Sequence, residues 1–290
     1  MRRAVHGATV PGGPTVAVGG VVGADADTLP PVGTMDRFAL LMSSKEEDIA
    51  VEEAALVLAS VFRPGVVIGD GLARLDDVAD GCAPRIEAIV ERLFGELGFV
   101  GNRSDYHDPA NSWLDQVLER RLGIPITLSI VVMAVGRRAG VEIEGIGMPA
   151  HFLCRDRATG LYIDPFGGGT LLDRDGVGAL FRSLNGDHLR LTDQMLAPVG
   201  SRLIIRRMLN NLAQIATHRC DRDMQITATK LRALLPDAST RDRLELAGAY
   251  MAGGDLVRAA NVLEAACAEA PDEERATIAR FAAEVRGRLN

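Results

Sequence analysis

Residues 125–139, PITLSIVVMAVGRRA, wind into a helix that is apolar on nearly every side. Ile126, Leu128, Ile130, Val131, Val132, Met133, Ala134 and Val135 leave no broad polar face to meet water. A helix of this kind has to lie in the middle of a domain, so the remaining chain must surround it. Pro125 suits the first helical position, because its missing N–H is one that position leaves unpaired anyway.

Short strand patterns follow directly: VEIEGIG (141–147), HFLCR (151–155) and LYID (161–164), separated by Gly- and Pro-containing turns. Close spacing and tight turns predict an antiparallel meander. Helices packed with a central helix on such a sheet make an α+β fold. Upstream, Ser44 followed by Glu47 has the form of a capping box, which predicts a helix over about 45–62. A second helix is expected from Pro84, ending at GELGFVGN (95–102), and a third from about Trp113 to Arg121. NRSDYHDPANS (102–112) reads as an ordered loop and LGIP (122–125) as a turn.

The ends of the chain differ from this middle. Residues 1–34 are rich in Gly, Pro and Val without helix or strand periodicity, and read as a disordered tail. Arg2, Arg3 and Ala24-Asp25-Ala26 give it some features of a signal peptide, but Gly and Pro occupy the place of an apolar h-region. Met35 opens the structured part and is an alternative start. From about 201 the pattern is helical to the end. Leu246, Ala247, Tyr250, Gly254, Ala259, Leu263, Ala266 and Pro271 have the spacing of a tetratricopeptide unit, in which small residues let two antiparallel helices approach. Pro236 lies 35 residues before Pro271, so 203–236 reads as a degenerate earlier repeat, with 273–288 as a cap. The expected organisation is a tail over 1–34, an α+β domain over 35–200 and an all-α repeat region over 201–290.

Composition narrows the functional classes. A net charge of −7 argues against a nucleic-acid partner for the whole chain. No apolar stretch reaches the ~18 residues of a membrane span. The four cysteines, at 82, 154, 220 and 267, form no CxxC, and the five histidines form no HxxxH or HExxH pair. Neither a metal centre nor a disulfide framework is signalled, and free thiols fit a cytoplasmic chain without a cofactor. Residues 201–232 hold seven basic and two acidic side chains, a local excess of five positive charges. That stretch is either a solvated helix face or a contact for an acidic partner.

His151 and Asp164 stand out chemically. They lie 13 residues apart, one at the start of a predicted strand and one at the end of the next. Adjacent antiparallel strands bring such residues together, and the carboxylate can then fix the imidazole tautomer, as in a catalytic triad. A purely structural His–Asp pair has the same spacing. Asp105, His107 and Asp108 could be read as a metal cluster, but a loop that uses Asp and Asn for turns and caps is the preferred reading, and no metal site is expected. Asn102, Tyr106 and Asn111 are expected to pin this loop beside the groove where a substrate would lie, and Phe166 is a further candidate groove residue. The glycines of DPFGGG (164–169) lack the Lys and Ser/Thr of a phosphate loop and read as a tight connection.

The runs LFGELGFVGNRSDYHDPANSWLDQVLERRLGIPITLS (93–129), MPAHFLCR (148–155), IDPFGGG (163–169) and RMLNNL (207–212) resemble the bacterial SirB-type family. The resemblance covers about 43–288. It implies a transglutaminase-like, papain-like core followed by tetratricopeptide-like helices, and a Cys-His-Asp triad whose Cys opens the central helix. There the helix's positive end would lower the thiol pKa. His151 and Asp164 match the family's second and third positions. The nucleophile slot falls at Pro125, Ile126 and Thr127, and none is Cys.

Two readings follow. In the first, the chain is a pseudoenzyme, a protein-interaction or regulatory module using its groove and helical repeats, with its oligomeric state open. In the second, it is a hydrolase or acyltransferase that keeps His151 and Asp164 and uses Thr127 or Ser129 as its hydroxyl, or a thiol brought in by an unexpected fold. Cys154 lies three residues beyond His151 on the same predicted strand, faces the other way, and reads as a small core residue.

Overall fold

The expected central helix sets the architecture. In the computed structural model, which describes residues 33–289, it is α6 (Pro125–Ala139), with eleven of its fifteen residues buried. The readings made for residues 1–32 lie outside the described residues. Ile130, Val132 and Val135 are fully buried. Each such side chain contributes roughly 1.5–3 kcal/mol relative to exposure. Gly140 ends the helix in a left-handed conformation, φ 77°, while Arg137 and Arg138 occupy its last turn and face the helix's negative end.

Helices α1 (Thr34–Ser43), α2 (Val51–Phe62), α3 (Ile68–Ala79) and α4 (Ile86–Val90, continued as a π-turn over Glu91–Glu96) precede a short α5 (Leu114–Arg120). The helix predicted over 45–62 is therefore two elements, and the Ser44/Glu47 capping box does not form. Ser44 is the C-cap of α1, and Ala50 precedes α2 without a side-chain cap. The neighbouring Glu46 explains the break. Its carboxylate accepts from the Arg202 backbone N–H and guanidinium, so the segment is held by a distant helix rather than capped locally.

The predicted turn at 122–125 contains β2 (Leu122–Gly123), which pairs in parallel with β1 (Val100–Gly101). The main sheet is an antiparallel meander: β3 (Ile143–Ile146), β4 (Leu153–Asp156), β5 (Tyr162–Asp164) and a fourth strand, β6 (Thr170–Leu172). α6 packs on β3 and β4. α7 (Arg174–Asn185) then starts from an Asp173 cap on the Gly176 N–H.

Beyond residue 200 the described chain is helical: α8 (Ser201–Arg219), α9 (Arg222–Ala233), α10 (Thr240–Ala252), α11 (Leu256–Glu269) and α12 (Asp272–Gly287), each packed on the next. Leu246, Ala247, Tyr250, Ala259 and Leu263 form a buried cluster with Ala282 and Val285 of α12. Ile204, Ile205, Met208 and Leu209 of α8 share the main core with α2 and α6. No helix among the described residues is long and apolar enough to cross a membrane.

Candidate functional site

The chain around His151 does not form the strand start that its pattern predicts. Ala150 sits at φ 60°, a left-handed conformation that L side chains rarely adopt, and β4 begins only at Leu153. His151 is thus carried on the connection between β3 and β4. Asp164 closes β5 as expected. Nε2 of His151 lies 2.8 Å from Asp164 Oδ1, and each residue is 7 % exposed.

Asp164 is held from a second side. Its Oδ1 accepts the Gly167 N–H at 3.0 Å, and its carbonyl accepts the Gly169 N–H. Gly168 and Gly169 both have positive φ, which lets the DPFGGG turn fold back onto the carboxylate. Burial pushes the Asp164 carboxyl up. The hydrogen bond and charge of His151, with the Gly167 and Phe166 backbone, outweigh it and leave the group below the usual carboxylate range. The ionised Asp164 carboxylate accepts the Nε2 N–H of His151.

Aromatic rings extend outward from the pair. Phe166 stands edge-on to His151, and Tyr106 edge-on to Phe166, with ring centres 6.2 and 6.0 Å apart. Asn102 and Asn111 fix the loop that carries Tyr106. Asn102 Nδ2 donates to Asn111 Oδ1 at 3.0 Å, and Asn111 Nδ2 donates to the Asp105 and Tyr106 carbonyls. Asp108 caps Ala110 and pairs with Arg120.

The N-terminal turn of α6 carries no thiol. The Thr127 hydroxyl is fully buried, donates to the Asn111 carbonyl at 2.8 Å and accepts the Ile124 N–H. It acts as a helix cap and loop anchor. Cys154 is fully buried in β4, and its Sγ donates to the Ser129 carbonyl at 3.5 Å. Burial pushes this thiol up to about 12. Burial also raises Cys82. Both shifts run opposite to that of a catalytic cysteine.

Two arginines that the sequence pattern did not single out complete the site. Arg103 stacks over Phe166, 4.8 Å from the ring centre, and donates to its carbonyl. Arg207 of α8 donates to the carbonyls of Gly147, Met148 and His151. The one available signal was a charged residue set among the buried positions Ile204, Ile205 and Met208. The basic excess over 201–232 is largely compensated in three dimensions: Arg202 pairs with Glu46, Arg206 with Asp237 and Asp242, and Arg232 with Asp242 and Glu245.

A buried central helix, an antiparallel sheet and an adjacent His–Asp pair are what the resemblance to a transglutaminase-like core implies. The family comparison agrees: residues 68–210 match the model of the transglutaminase-like superfamily. Residues 68–210 are thus a transglutaminase-like domain, and the relatives of the chain include a protein of the SirB type. It is 37 % identical over 187 residues to a UPF0162 protein of Xylella fastidiosa strain 9a5c, covering 60 % of this chain and 66 % of the relative. It is 23 % identical over 154 residues to protein SirB1 of Salmonella typhimurium, covering 52 % and 56 %. Human F-box only protein 21 is 31 % identical over 166 residues, covering 52 % of this chain and 26 % of that protein. The chain thus spans less than two thirds of the length of these curated relatives. No solved structure matches it.

Proposed function

We propose that the protein is a non-catalytic transglutaminase-like module that binds another protein. The carrying observation is the state of the thiol nearest in sequence to the His–Asp pair. Cys154 is fully buried, engaged with a backbone carbonyl and shifted towards the protonated form. A thiol attacks as its thiolate, so an upward shift to about 12 leaves almost none at neutral pH. The hydroxyl alternative has little support. Thr127 donates its proton to Asn111, and the partner that His151 holds is Asp164.

What remains is a recognition surface. The His151 ring is fixed by Asp164, and Phe166 and Tyr106 supply apolar faces beside it. The helices after residue 200 read as tetratricopeptide-like repeats, and a cleft of about 920 Å³ between α8, α9 and α10 offers a second surface for a partner. We assign this role to a protein of the cytoplasm.

Two assays on the full chain test the reading. Incubation with casein and dansylcadaverine measures acyl transfer, and no incorporation above a protein-free control is expected. A photo-crosslinker at the exposed position 106 should trap a partner from source-cell extract, with the yield lost in His151→Ala. Dansyl incorporation that disappears in His151→Ala contradicts the proposal and restores the enzyme.

A further inference from the structure

Among the described residues, every other arginine that is less than exposed has a carboxylate within 4.0 Å, and Arg207 has none. A charge withdrawn from water without a counter-ion is costly and is uncommon without a reason. Its three acceptors are carbonyl dipoles, which use three of the five N–H groups of a guanidinium. Arg103, 4.8 Å above the Phe166 ring centre, also lacks a carboxylate partner. Both arginines flank the row His151, Phe166, Tyr106, in which Asp164 is the carboxylate already occupied, by His151 and Gly167. The site therefore carries two guanidinium groups without a carboxylate partner, Arg207 over the Phe152 ring and Arg103 over Phe166.

We propose that the surface beside His151 receives a carboxylate side chain of an acidic peptide segment, through Arg207 and Arg103, with Phe166 and Tyr106 contacting the flanking residues. This rests on the binding-module reading and names the chemistry of its ligand. Guanidinium–carboxylate pairing is charge-assisted and can be bidentate, so it supplies orientation as well as attraction. Arg207 also supports the His151 carbonyl from α8, so an occupied guanidinium would report directly on that connection.

The test uses fluorescence anisotropy on the full chain with three labelled nine-residue peptides, rich in Glu, Lys or Ser. Binding of the Glu peptide alone is expected, weakening with added salt. Arg207→Gln, measured at a temperature where circular dichroism shows it folded, should weaken it at least tenfold, and Arg103→Gln at least threefold. Succinate should compete, and inorganic phosphate should compete no better. Equal binding of the Glu and Ser peptides, or equal affinity of the wild type and both variants, overturns the proposal. Displacement by phosphate at far lower concentration than succinate overturns the peptide in favour of a free phosphate. If Arg207→Gln does not fold, Arg103→Gln at its exposed position decides alone. Acyl transfer in the casein assay would defeat the binding-module reading separately, because it does not depend on either arginine.

Discussion

Asp164 Oδ1 holds both the His151 ring nitrogen, at 2.8 Å, and the Gly167 backbone N–H, at 3.0 Å. One oxygen thus ties the β3–β4 connection to the glycine turn after β5. Its carboxyl lies below its ordinary value when folded, despite burial. A depressed carboxyl contributes stability above its unfolded value of ~3.9, and that stability is lost as pH falls through the folded value. Urea midpoints measured from pH 7 to pH 2 should therefore fall less steeply below about pH 4 in Asp164→Asn than in the wild type. Parallel curves would contradict the pairing.

His151→Ala should leave the domain folded. Asp164 keeps its backbone donors, so the expected cost is below about 2 kcal/mol, the size of one hydrogen bond plus a modest desolvation penalty. Urea denaturation measures it. A loss of several kcal/mol would show that the pair exists to hold the fold rather than to present an imidazole.

Glu52 is 2 % exposed on α2 and accepts from Arg137 and Arg138 at the end of the central helix. Burial pushes its carboxyl up, but the two arginines hold it below the usual range. Glu52→Ala strands Arg138 beside Asp76 alone and should cost about 3 kcal/mol. A melting temperature within 1–2 °C of wild type, against the ~2–4 °C shift of even one kcal/mol in a chain this size, would show the pair to be idle.

Gly101 lies against the Phe166 ring, so an added Cβ would overlap that ring. Gly101→Ala should push Phe166 away from His151 while the main core, centred on α6, is kept. The expected readout is a changed His151 imidazole NMR signal with near-native circular dichroism. An unchanged imidazole signal would separate Phe166 from the site.

The sequence makes the core of this fold legible and its edges less so. α6 was visible because an all-apolar period has no competing interpretation, and three strands of the meander followed from their turns. α3 was missed: IGDGLARLDDVA buries only the narrow stripe Gly71, Leu75 and Ala79, and two glycines mask its helical period. Gly71 is there because Leu56 of α2 packs where its Cβ would be. The His–Asp proximity was readable from spacing, but the displacement of His151 from strand to loop was not, since it depends on a left-handed alanine. Arg207 was unreadable for another reason. Its significance lies in the carboxylate it lacks, which only three-dimensional pairing reveals.

Under the proposed binding role, no cysteine of this chain is an activated nucleophile. Native-state alkylation of Cys82, Cys154, Cys220 and Cys267, followed residue by residue by mass spectrometry from pH 5 to 9, tests it most directly. Cys154 should not react in the folded chain, and no cysteine should react fast well below the reference value of ~8.5. One cysteine that reacts rapidly at pH 5–6, and loses that reactivity in His151→Ala, would contradict the account and make the protein a thiol enzyme.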